Sequence, residues 1–255
     1  MSAPVRLAVI GATGRVGSAL VRLAAERGFV VTRAFGRSRA GAALGVPVET
    51  DVASLSSGGF DVAIDFSSAD AFSSIASHVA ASGAPLVSGT TGLTSKDVSS
   101  IDEIARRIPI LWEPNLSVGA HVLGRLLRQA IAALGDGFDV EIVETHHRKK
   151  VDAPSGTALR LAAIAQEAGT GRELRHGREG KPGPRSAREV GLHAVRGGDV
   201  IGDHSVHLLG QGERLELVHR ATDRDVFALG ALRAAAWLVG KPNGRYALAD
   251  VIEGS

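Results

Sequence analysis

The stretch ETHHRKKVDAPSGTALRLA, at residues 144–162, carries the side chains best suited to chemistry. His146 and His147 titrate near neutral pH, so either of them could donate a proton to a carbanion-like centre. The chain has five lysines against 24 arginines, and two of the five are Lys149 and Lys150. A lysine can give up its proton, whereas a guanidinium effectively cannot. This pattern indicates acid–base chemistry beside a concentration of positive charge.

A helix is predicted to begin directly after this basic turn. Pro154 and Ser155 are typical of a helix start, where the first backbone N–H groups have no partner within the helix. The N–H groups of Ser155, Gly156 and Thr157 would form a cradle for an anion. Cations on one side and a helix N-terminus on the other favour a site for a small polycarboxylate. A solvated basic turn capped by Ser155 is the alternative that this stretch alone leaves open.

A glycine-rich turn lies near the start of the chain, in VIGATGRVGSAL. Gly11, Gly14 and Gly17 fall between a predicted strand and a predicted helix, where they allow a tight turn, close approach to a pyrophosphate and close helix packing. The spacing differs from G-x-G-x-x-G because Thr13 occupies the second glycine position. The placement after the first strand predicts dinucleotide binding.

The end of the second predicted strand bears on which nicotinamide cofactor is used. An acid there would bind the ribose hydroxyls of NAD, but AFGRSRAG has none. Gly36, Arg37, Ser38 and Arg39 instead suit a ribose 2′-phosphate. We therefore expect NADPH to be preferred and NADH to be possible, unless these arginines only solvate a surface turn.

Two further turns follow predicted strands. VSGTTGL, with its glycines at 89 and 92, ends a strand at the sheet edge where the nicotinamide half of a cofactor would lie. EPNLSVG, at 113–119, ends another strand and precedes a helix. A tight turn explains the first equally well, and Ser117 could be a plain N-cap in the second.

Short β-branched runs alternate with helical patterns in the first half, which predicts a Rossmann-like, doubly wound parallel sheet of the α/β class. After Asn115 a strong amphipathic helix, an alternating strand and three later strand-like runs predict an α+β substrate domain with a mixed sheet. Residues 171–191 lack periodicity and are expected to form a long exposed loop. The expected domains are 1–117 with 225–255 for the dinucleotide, and 118–224 for substrate binding and oligomerisation, with the apolar stripe of 227–239 packing on the first.

Composition narrows the classes of protein to which the chain could belong. The absence of cysteine excludes a disulfide framework, a thiolate nucleophile and a cysteine-ligated zinc. No apolar run is long enough to cross a bilayer and the N-terminus lacks a signal-peptide pattern, so we expect a cytoplasmic protein without a membrane partner. A net charge of +2 does not favour nucleic-acid binding. No metal is expected, because His193, His204 and His207 fit no zinc spacing and the last two fall on opposite strand faces.

The basic stretch resembles a known family. ETHHRKKVDAPSGTA is similar to the signature E-x-H-H-x-x-K-x-D-x-P-S-G-T-A of bacterial 4-hydroxy-tetrahydrodipicolinate reductases, also called dihydrodipicolinate reductases, of lysine and diaminopimelate biosynthesis. The likeness extends to GATGRVG, DFS, GTTG, PNLSVG, GDVIGDH and GERLELVHRA. It implies reduction of 4-hydroxy-tetrahydrodipicolinate to tetrahydrodipicolinate with NAD(P)H, a small dicarboxylate as substrate and a homotetramer built through the second domain's sheet.

The resemblance also assigns roles to residues. His146 would be the acid/base group and Lys150 a proton donor, while His147, Gly156 and Thr157, with Ser155 of the same cradle, would hold the substrate. Together with the second-strand turn, the expected cofactor contacts are Gly11, Ala12, Thr13, Gly14, Arg15, Val16, Gly36, Arg37, Gly89, Thr90, Thr91, Glu113, Pro114, Asn115 and Leu116.

The chain departs from the family pattern at three places. Gly36 stands where many members have an acid, the connection after the second strand is shorter than in many relatives, and Glu113 and Leu116 replace the usual Ala and Phe. Two rival functions are another nicotinamide enzyme, such as an amino-acid dehydrogenase, and a nucleotide-sensing protein without chemistry. The first has no use for the paired histidines and the Ser-Gly-Thr cradle, and the second would tolerate replacement of His146 and Lys150.

Overall fold

The computed structural model describes residues 3–38, 45–169 and 171–254. The chain divides into two compact units. Unit 1 comprises Met1–Val118 and Arg224–Ser255, and unit 2 comprises Gly119–Asp223. Within the described residues, no helix combines the length and the apolar character that a membrane crossing requires.

Unit 1 is built on a seven-stranded sheet in which every pairing is parallel. Its interior strands are buried on both faces, as in the run VAID, which is the pattern of a parallel sheet covered on both sides. The strands are β1 (Val5–Ile10), β2 (Phe29–Phe35), β3 (Val48–Glu49), β4 (Val62–Asp65), β5 (Leu86–Ser88), β6 (Pro109–Trp112) and β12 (Gly244–Tyr246), in the order β12-β6-β5-β4-β1-β2-β3.

Helices cover this sheet on both faces. The helices are α1 (Arg15–Leu23), α2 (Ala69–Ser82), α3 (Ser95–Ala105), α6 (Asp225–Leu238) and α7 (Leu248–Glu253). One core cluster joins the sheet to α1, α6 and α7, and the other joins it to α2 and α3. The expected return of 227–239 to the first unit is confirmed, because Ala228, Leu232 and Leu238 are buried in the first cluster.

Unit 2 contains a five-stranded mixed sheet and two helices. The strands are β7 (Asp139–His146), β8 (Glu173–His176), β9 (Glu189–Arg196), β10 (Gly202–Leu209) and β11 (Arg214–Ala221), in the order β11-β10-β7-β9-β8, and the helices are α4 (Val118–Leu134) and α5 (Gly156–Ala168). β10 pairs antiparallel with β7 and β11, whereas β9 pairs parallel with β7 and β8. The predicted α/β class with a mixed second sheet is confirmed.

Strict alternation along the central strand β7 separates the two faces of this sheet. Val140, Ile142, Glu144 and His146 are buried, and the residues between them are half-buried. The apolar members of the buried set pack against α4 and α5. We call this side the helix face and the other the open face. Glu144 and His146 therefore lie on the same side as the start of α5.

Two local expectations differ from the structure, and two short edge strands were not predicted. The expected loop at 171–191 contains β8, a four-residue edge strand whose mostly exposed side chains give no apolar period. The predicted first helix stops at Leu23, and a short 3₁₀ turn carries the chain to Gly28, whose φ of 80° ends it. The edge strands β3 and β12 are only two and three residues long, too short to produce a readable pattern.

Candidate active site

The glycine turn of unit 1 has the geometry that close approach of a phosphate requires. Gly11 has a φ of 79°, and a Cβ at that position would collide with the backbone of Phe66. A Cβ on Gly17 would collide with the Gly11 carbonyl, so α1 packs against the turn only because residue 17 is glycine. Thr13, Gly14 and Arg15 are exposed, whereas Ala12 is buried. The turn is therefore exposed from Thr13 to Arg15, and its glycines allow close approach to the backbone.

The start of α1 is open to an anion. The N–H groups of Ala12 and Gly14 are bonded to Phe35 and Gly11, but those of Thr13, Arg15 and Val16 have no hydrogen-bond partner among the described residues. No side chain caps this helix and no acid lies in its first turn, so the positive end of the helix is uncompensated. Burial and the nearby Arg15 lower the pKa of Arg224, a second cation here that the sequence did not reveal. These features fit a dinucleotide pyrophosphate.

The two departures from the usual fingerprint, Thr13 and Gly36, lie against each other. A Cβ added to Gly36 would be 3.0 Å from the Thr13 hydroxyl, 3.1 Å from its methyl group and 3.2 Å from Val48. An acidic side chain at position 36 would therefore require Thr13 to move. Arg37 is exposed next to this contact. Arg39, the other expected phosphate ligand, lies outside the described residues.

Asp65, at the end of β4, organises the expected nicotinamide turn. Its fully buried carboxyl accepts hydrogen bonds from the Ser88 hydroxyl at 3.0 Å, the Thr90 hydroxyl at 2.8 Å and the Ser67 N–H at 2.9 Å. Burial raises the pKa of Asp65, and these hydrogen bonds oppose that rise. The Trp112 indole N–H donates to the Thr90 carbonyl at 2.9 Å, so Thr90 is held from two sides. Thr91 is exposed.

Neighbouring positions complete this edge of the sheet. A Cβ on Gly89 would collide with the ring of Phe66, which explains the glycine by packing. Glu113 is buried and its N–H donates to the Ser88 carbonyl at 3.0 Å. The Asn115 side chain accepts from the Ser117 N–H at 2.9 Å, and Leu116 is buried in the core. The turns 89–91 and 113–116 thus follow the adjacent strands β5 and β6 at their carboxyl ends.

In unit 2, four nitrogen atoms from three residues converge on the carboxylate of Glu144, whose side chain is fully buried. Arg196 donates through both terminal nitrogens, each at 2.8 Å from a different oxygen. The Ser155 N–H donates at 3.0 Å, and His146 Nδ1 lies 2.5 Å from the carboxylate. These bonds together lower the pKa of Glu144 although its burial alone would raise it.

His146 is buried at the end of β7. Burial lowers the pKa of His146 below its ordinary value, Glu144 raises it, and the positive charges of Lys150 and Arg196 lower it further. The imidazole is therefore mainly neutral at neutral pH. A bound dianion nearby would favour its protonated form.

A second buried histidine stands beside the first. The rings of His146 and His204 meet edge to face with centroids 5.4 Å apart, and His204 Nε2 lies 3.2 Å from the Ser155 hydroxyl. Burial, together with the charge of His146, lowers the pKa of His204 to about 4, so this ring stays neutral. His204 faces the helix side and His207 the open side, as predicted.

The basic turn after β7 places the other expected polar groups. The Lys150 ammonium pairs with Asp152 at 2.9 Å, and Arg196 donates to the Asp152 carbonyl at 2.7 Å. His147 donates its N–H to the Val200 carbonyl at 2.7 Å, while its Nδ1 is buried without a hydrogen-bond partner among the described residues. A buried polar atom of this kind is what a ligand or a water would satisfy.

The start of α5 matches the expected anion cradle. The Ser155 hydroxyl accepts from the Ala158 N–H at 3.2 Å, so one of the open N–H groups is used by the cap. No acid lies in the first turn. A Cβ on Gly156 would meet nothing within 4 Å, so packing does not require a glycine there and the approach to the helix end is open.

Two family models match the chain. The model described as dihydrodipicolinate reductase, N-terminus, covers residues 5–116, and the one described as dihydrodipicolinate reductase, C-terminus, covers 119–252. The chain is 46% identical to a 4-hydroxy-tetrahydrodipicolinate reductase of Anaeromyxobacter dehalogenans strain 2CP-1 and 45% identical to one of Myxococcus xanthus, in each case over 97% of both chains. The chain belongs to the dihydrodipicolinate reductase family.

The fold of a solved family member agrees. Dipicolinate-bound dihydrodipicolinate reductase from Paenisporosarcina sp. TG-14 superposes with a TM-score of 0.78 over 96% of this chain and 97% of that one, at 22% identity. Such a low identity shows a common fold and no more. The expectation of an oxidoreductase that uses a pyridine nucleotide is confirmed by membership of the dihydrodipicolinate reductase family.

Several residues of this dihydrodipicolinate reductase site were not singled out from the sequence. Glu144 begins the basic stretch, but its partner Arg196 is 52 residues away, and His204 was considered only as a metal ligand. Asp65 lies in the DFS motif that carried part of the resemblance, without an assigned role. The sequence did offer one signal for Glu144. An acid on the buried face of an alternating strand needs polar partners, so its presence there indicates a polar cluster.

Proposed function

We propose that the chain catalyses the reduction of 4-hydroxy-tetrahydrodipicolinate by NAD(P)H in lysine and diaminopimelate biosynthesis. The products are tetrahydrodipicolinate, NAD(P)⁺ and water, and one proton is consumed. The relatives that match over 97% of the chain carry this name. We also propose that the protein is located in the cytoplasm.

The arrangement around His146 is the observation that best supports this reaction. A buried, mainly neutral imidazole is fixed by Glu144, and the N-terminus of α5 begins beside it at Ser155, on the same side of the sheet. A dicarboxylate loses its hydration on binding, and fixed donors must replace the water. The N–H groups of Gly156 and Thr157, the Thr157 hydroxyl and His147 are suited to that task.

Proton handling falls to His146 and Lys150 in this proposal. The reduced nicotinamide, when bound, supplies the hydride. Hydride addition leaves negative charge on the substrate skeleton, which a positioned acid must quench. Lys150 carries the positive charge that stabilises this anion, and its present partner Asp152 is an exposed side chain that a dianion can replace. His146 exchanges the proton at the ring nitrogen turned away from Glu144.

The glycine turn would hold the cofactor pyrophosphate through Thr13, Arg15 and Val16 N–H groups, and the 89–91 and 113–116 turns would contact the nicotinamide half. We further propose that NADPH is preferred, because an acid at position 36 would require Thr13 to shift and Arg37 is exposed next to this contact. Arg37 would then pair with the ribose 2′-phosphate.

A homotetramer built through the open face of unit 2 is part of the proposal. The described helices of this unit pack on the other face. Val195 and Val218 on the open face are 46% and 45% exposed, although strand interiors of this kind are usually covered. Sedimentation of the purified protein tests the assembly.

Turnover with 4-hydroxy-tetrahydrodipicolinate generated in situ tests the proposed reaction. We expect oxidation of NADPH that depends on this substrate and stops when it is omitted. An amino-acid dehydrogenase would instead oxidise diaminopimelate with NADP⁺ and ignore the cyclic substrate. A nucleotide-sensing protein would bind NADPH without turnover of either compound, and this result would refute the proposal.

A further inference from the structure

The hydrogen-bond pattern around Glu144 fixes the protonation state of its partners. Each carboxylate oxygen accepts one guanidinium N–H from Arg196, and Oε1 also accepts the Ser155 N–H. A carboxylate in a two-bond pairing with a guanidinium is ionised and can only accept hydrogen bonds. His146 Nδ1, which faces Oε2, must therefore carry a proton.

The other nitrogen of His146 is consequently bare whenever the ring is neutral. A histidine ring with a proton on Nδ1 has its lone pair on Nε2. A Cβ added at Gly202, on the neighbouring strand, would lie 3.0 Å from Nε2, so the absence of a side chain there keeps this nitrogen unobstructed. The groups around the ring are Glu144, Arg196, Lys150 and His204, and within the described residues none of them forms a hydrogen bond to Nε2.

The same carboxylate also fixes the start of α5 and the basic turn. Its bond to the Ser155 N–H holds the first residue of the anion cradle, and Arg196 links it to the Asp152 carbonyl in the segment that follows Lys150. One buried acid is thus bonded to the acid–base histidine, to the cradle and, through Arg196, to the lysine-bearing turn. Loss of its charge would disturb all three without touching a ligand directly.

We infer that Glu144 is a positioning residue that holds His146 with Nδ1 protonated and presents Nε2 to the substrate. The inference rests on the proposed function for the role of His146, but the arrangement itself exists without substrate. A structural role alone would require only that Glu144 pair with Arg196. The positioning role requires in addition a defined imidazole tautomer and a dependence of the His146 titration on Glu144.

The tautomer can be read in the wild-type protein. Nitrogen NMR of ring-labelled histidine at pH 8, with His146 assigned from a His146→Gln sample, distinguishes a protonated from a bare ring nitrogen. We expect protonated Nδ1 and bare Nε2. A proton on Nε2 would overturn the inference even if turnover is normal. The expected tautomer in a protein that fails to reduce the proposed substrate would refute the proposed function and leave the positioning role standing.

Glu144→Gln tests the consequence for catalysis. The side-chain amide can donate to Nδ1 and so favour the wrong tautomer, and we expect kcat to fall by about 100-fold or more while KM for NADPH stays within about twofold. The pH limb set by His146 should move to lower pH, because Glu144 raises the pKa of this ring. An unchanged limb and kcat would refute the role.

Glu141→Gln is the matched control. Glu141 is on β7 as well, but on the open face, where it pairs with Arg178, Arg185 and His193 of β9. We expect it to keep wild-type kcat and the wild-type pH limb. A similar loss of kcat in both variants, with similar loss of unfolding stability, would mean that Glu144 acts only by supporting the sheet, and would overturn the inference. Should Glu144→Gln not fold, the wild-type NMR result decides.

Discussion

Removal of the Thr90 hydroxyl should destabilise unit 1 and its expected nicotinamide turn together. Thr90→Val keeps the shape of the side chain but deletes its 2.8 Å bond to the buried Asp65 carboxyl, leaving the Ser88 hydroxyl and the Ser67 N–H as donors. A hydrogen bond contributes about 0.5–1.5 kcal/mol between neutral groups and about 1.5–3 kcal/mol when one partner is charged. We expect a loss within these limits in the unfolding free energy of unit 1 at pH 8.

The loss should depend on pH in a defined direction. Burial raises the pKa of Asp65, so the native state favours the protonated form and the wild type loses stability as pH rises through that pKa. The Thr90 hydroxyl lowers this pKa. Without it the penalty of ionisation grows, so the difference between variant and wild type should be larger at pH 8 than at pH 4.5.

Urea unfolding at the two pH values measures this, with Thr91→Val as control. Thr91 lies next in the same turn, is exposed and has no bond to Asp65 among the described residues. Fluorescence titration with NADPH should show weaker binding for Thr90→Val than for the wild type, if Asp65 holds the turn that contacts the cofactor. Equal stability of the two variants, or a loss that is the same at both pH values, would refute the reasoning.

Four further outcomes are expected. Arg37→Ala should weaken NADPH binding by about 1–3 kcal/mol with little change for NADH, whereas equal losses in calorimetric titrations would exclude a 2′-phosphate contact. His146→Gln and Lys150→Ala should each lower kcat about 10²- to 10⁴-fold at unchanged NADPH affinity in steady-state and binding assays. Near-normal kcat in both variants would favour the alternative that residues 144–162 begin with a solvated basic turn. Pyridine-2,6-dicarboxylate should compete with substrate and inhibit less after Thr157→Val; an unchanged inhibition constant would remove Thr157 from the site. Its partners lower the pKa of Glu141 to about 2, so unit 2 should lose stability as pH falls from about 5 towards 2, and Glu141→Gln should flatten this slope in acid unfolding.

The elements that the sequence predicted well have a complete local pattern. The strand β7 and the helices α4 and α5 bury one set of positions at a period that can be counted along the chain, whereas β1 and β4 are short, mostly apolar runs that are buried on both faces. β8 was not predicted because an edge strand with exposed side chains needs no apolar alternation. β8 forms through its pairing with β9, so it depends on residues in another part of the chain.

The candidate site likewise contains some features that could be predicted from the sequence and others that could not. The glycine turn and the Ser-Gly-Thr helix start are local devices, so their backbone geometry could be predicted from spacing. The positions of Arg196 beside Glu144 and of His204 beside His146 could not, because both depend on the register of β7 with β9 and β10. A histidine-rich set that suggested a metal alternative is divided by that register between the two faces of the sheet.

The strand β7 shows why side-chain type alone does not define a catalytic group. Glu141 and Glu144 each bind a histidine and at least one arginine, and the pKa of each is lowered. Glu141 binds Arg178 and Arg185, which lie between β8 and β9, to the open face. These contacts explain how part of the expected exposed loop is held against the sheet. The Glu144 set is buried beside the start of α5, and glycine at 202 leaves His146 Nε2 accessible. Position relative to the start of α5, set by the two-residue period of β7, separates the histidine that we propose to be reactive, His146, from His193 on the open face.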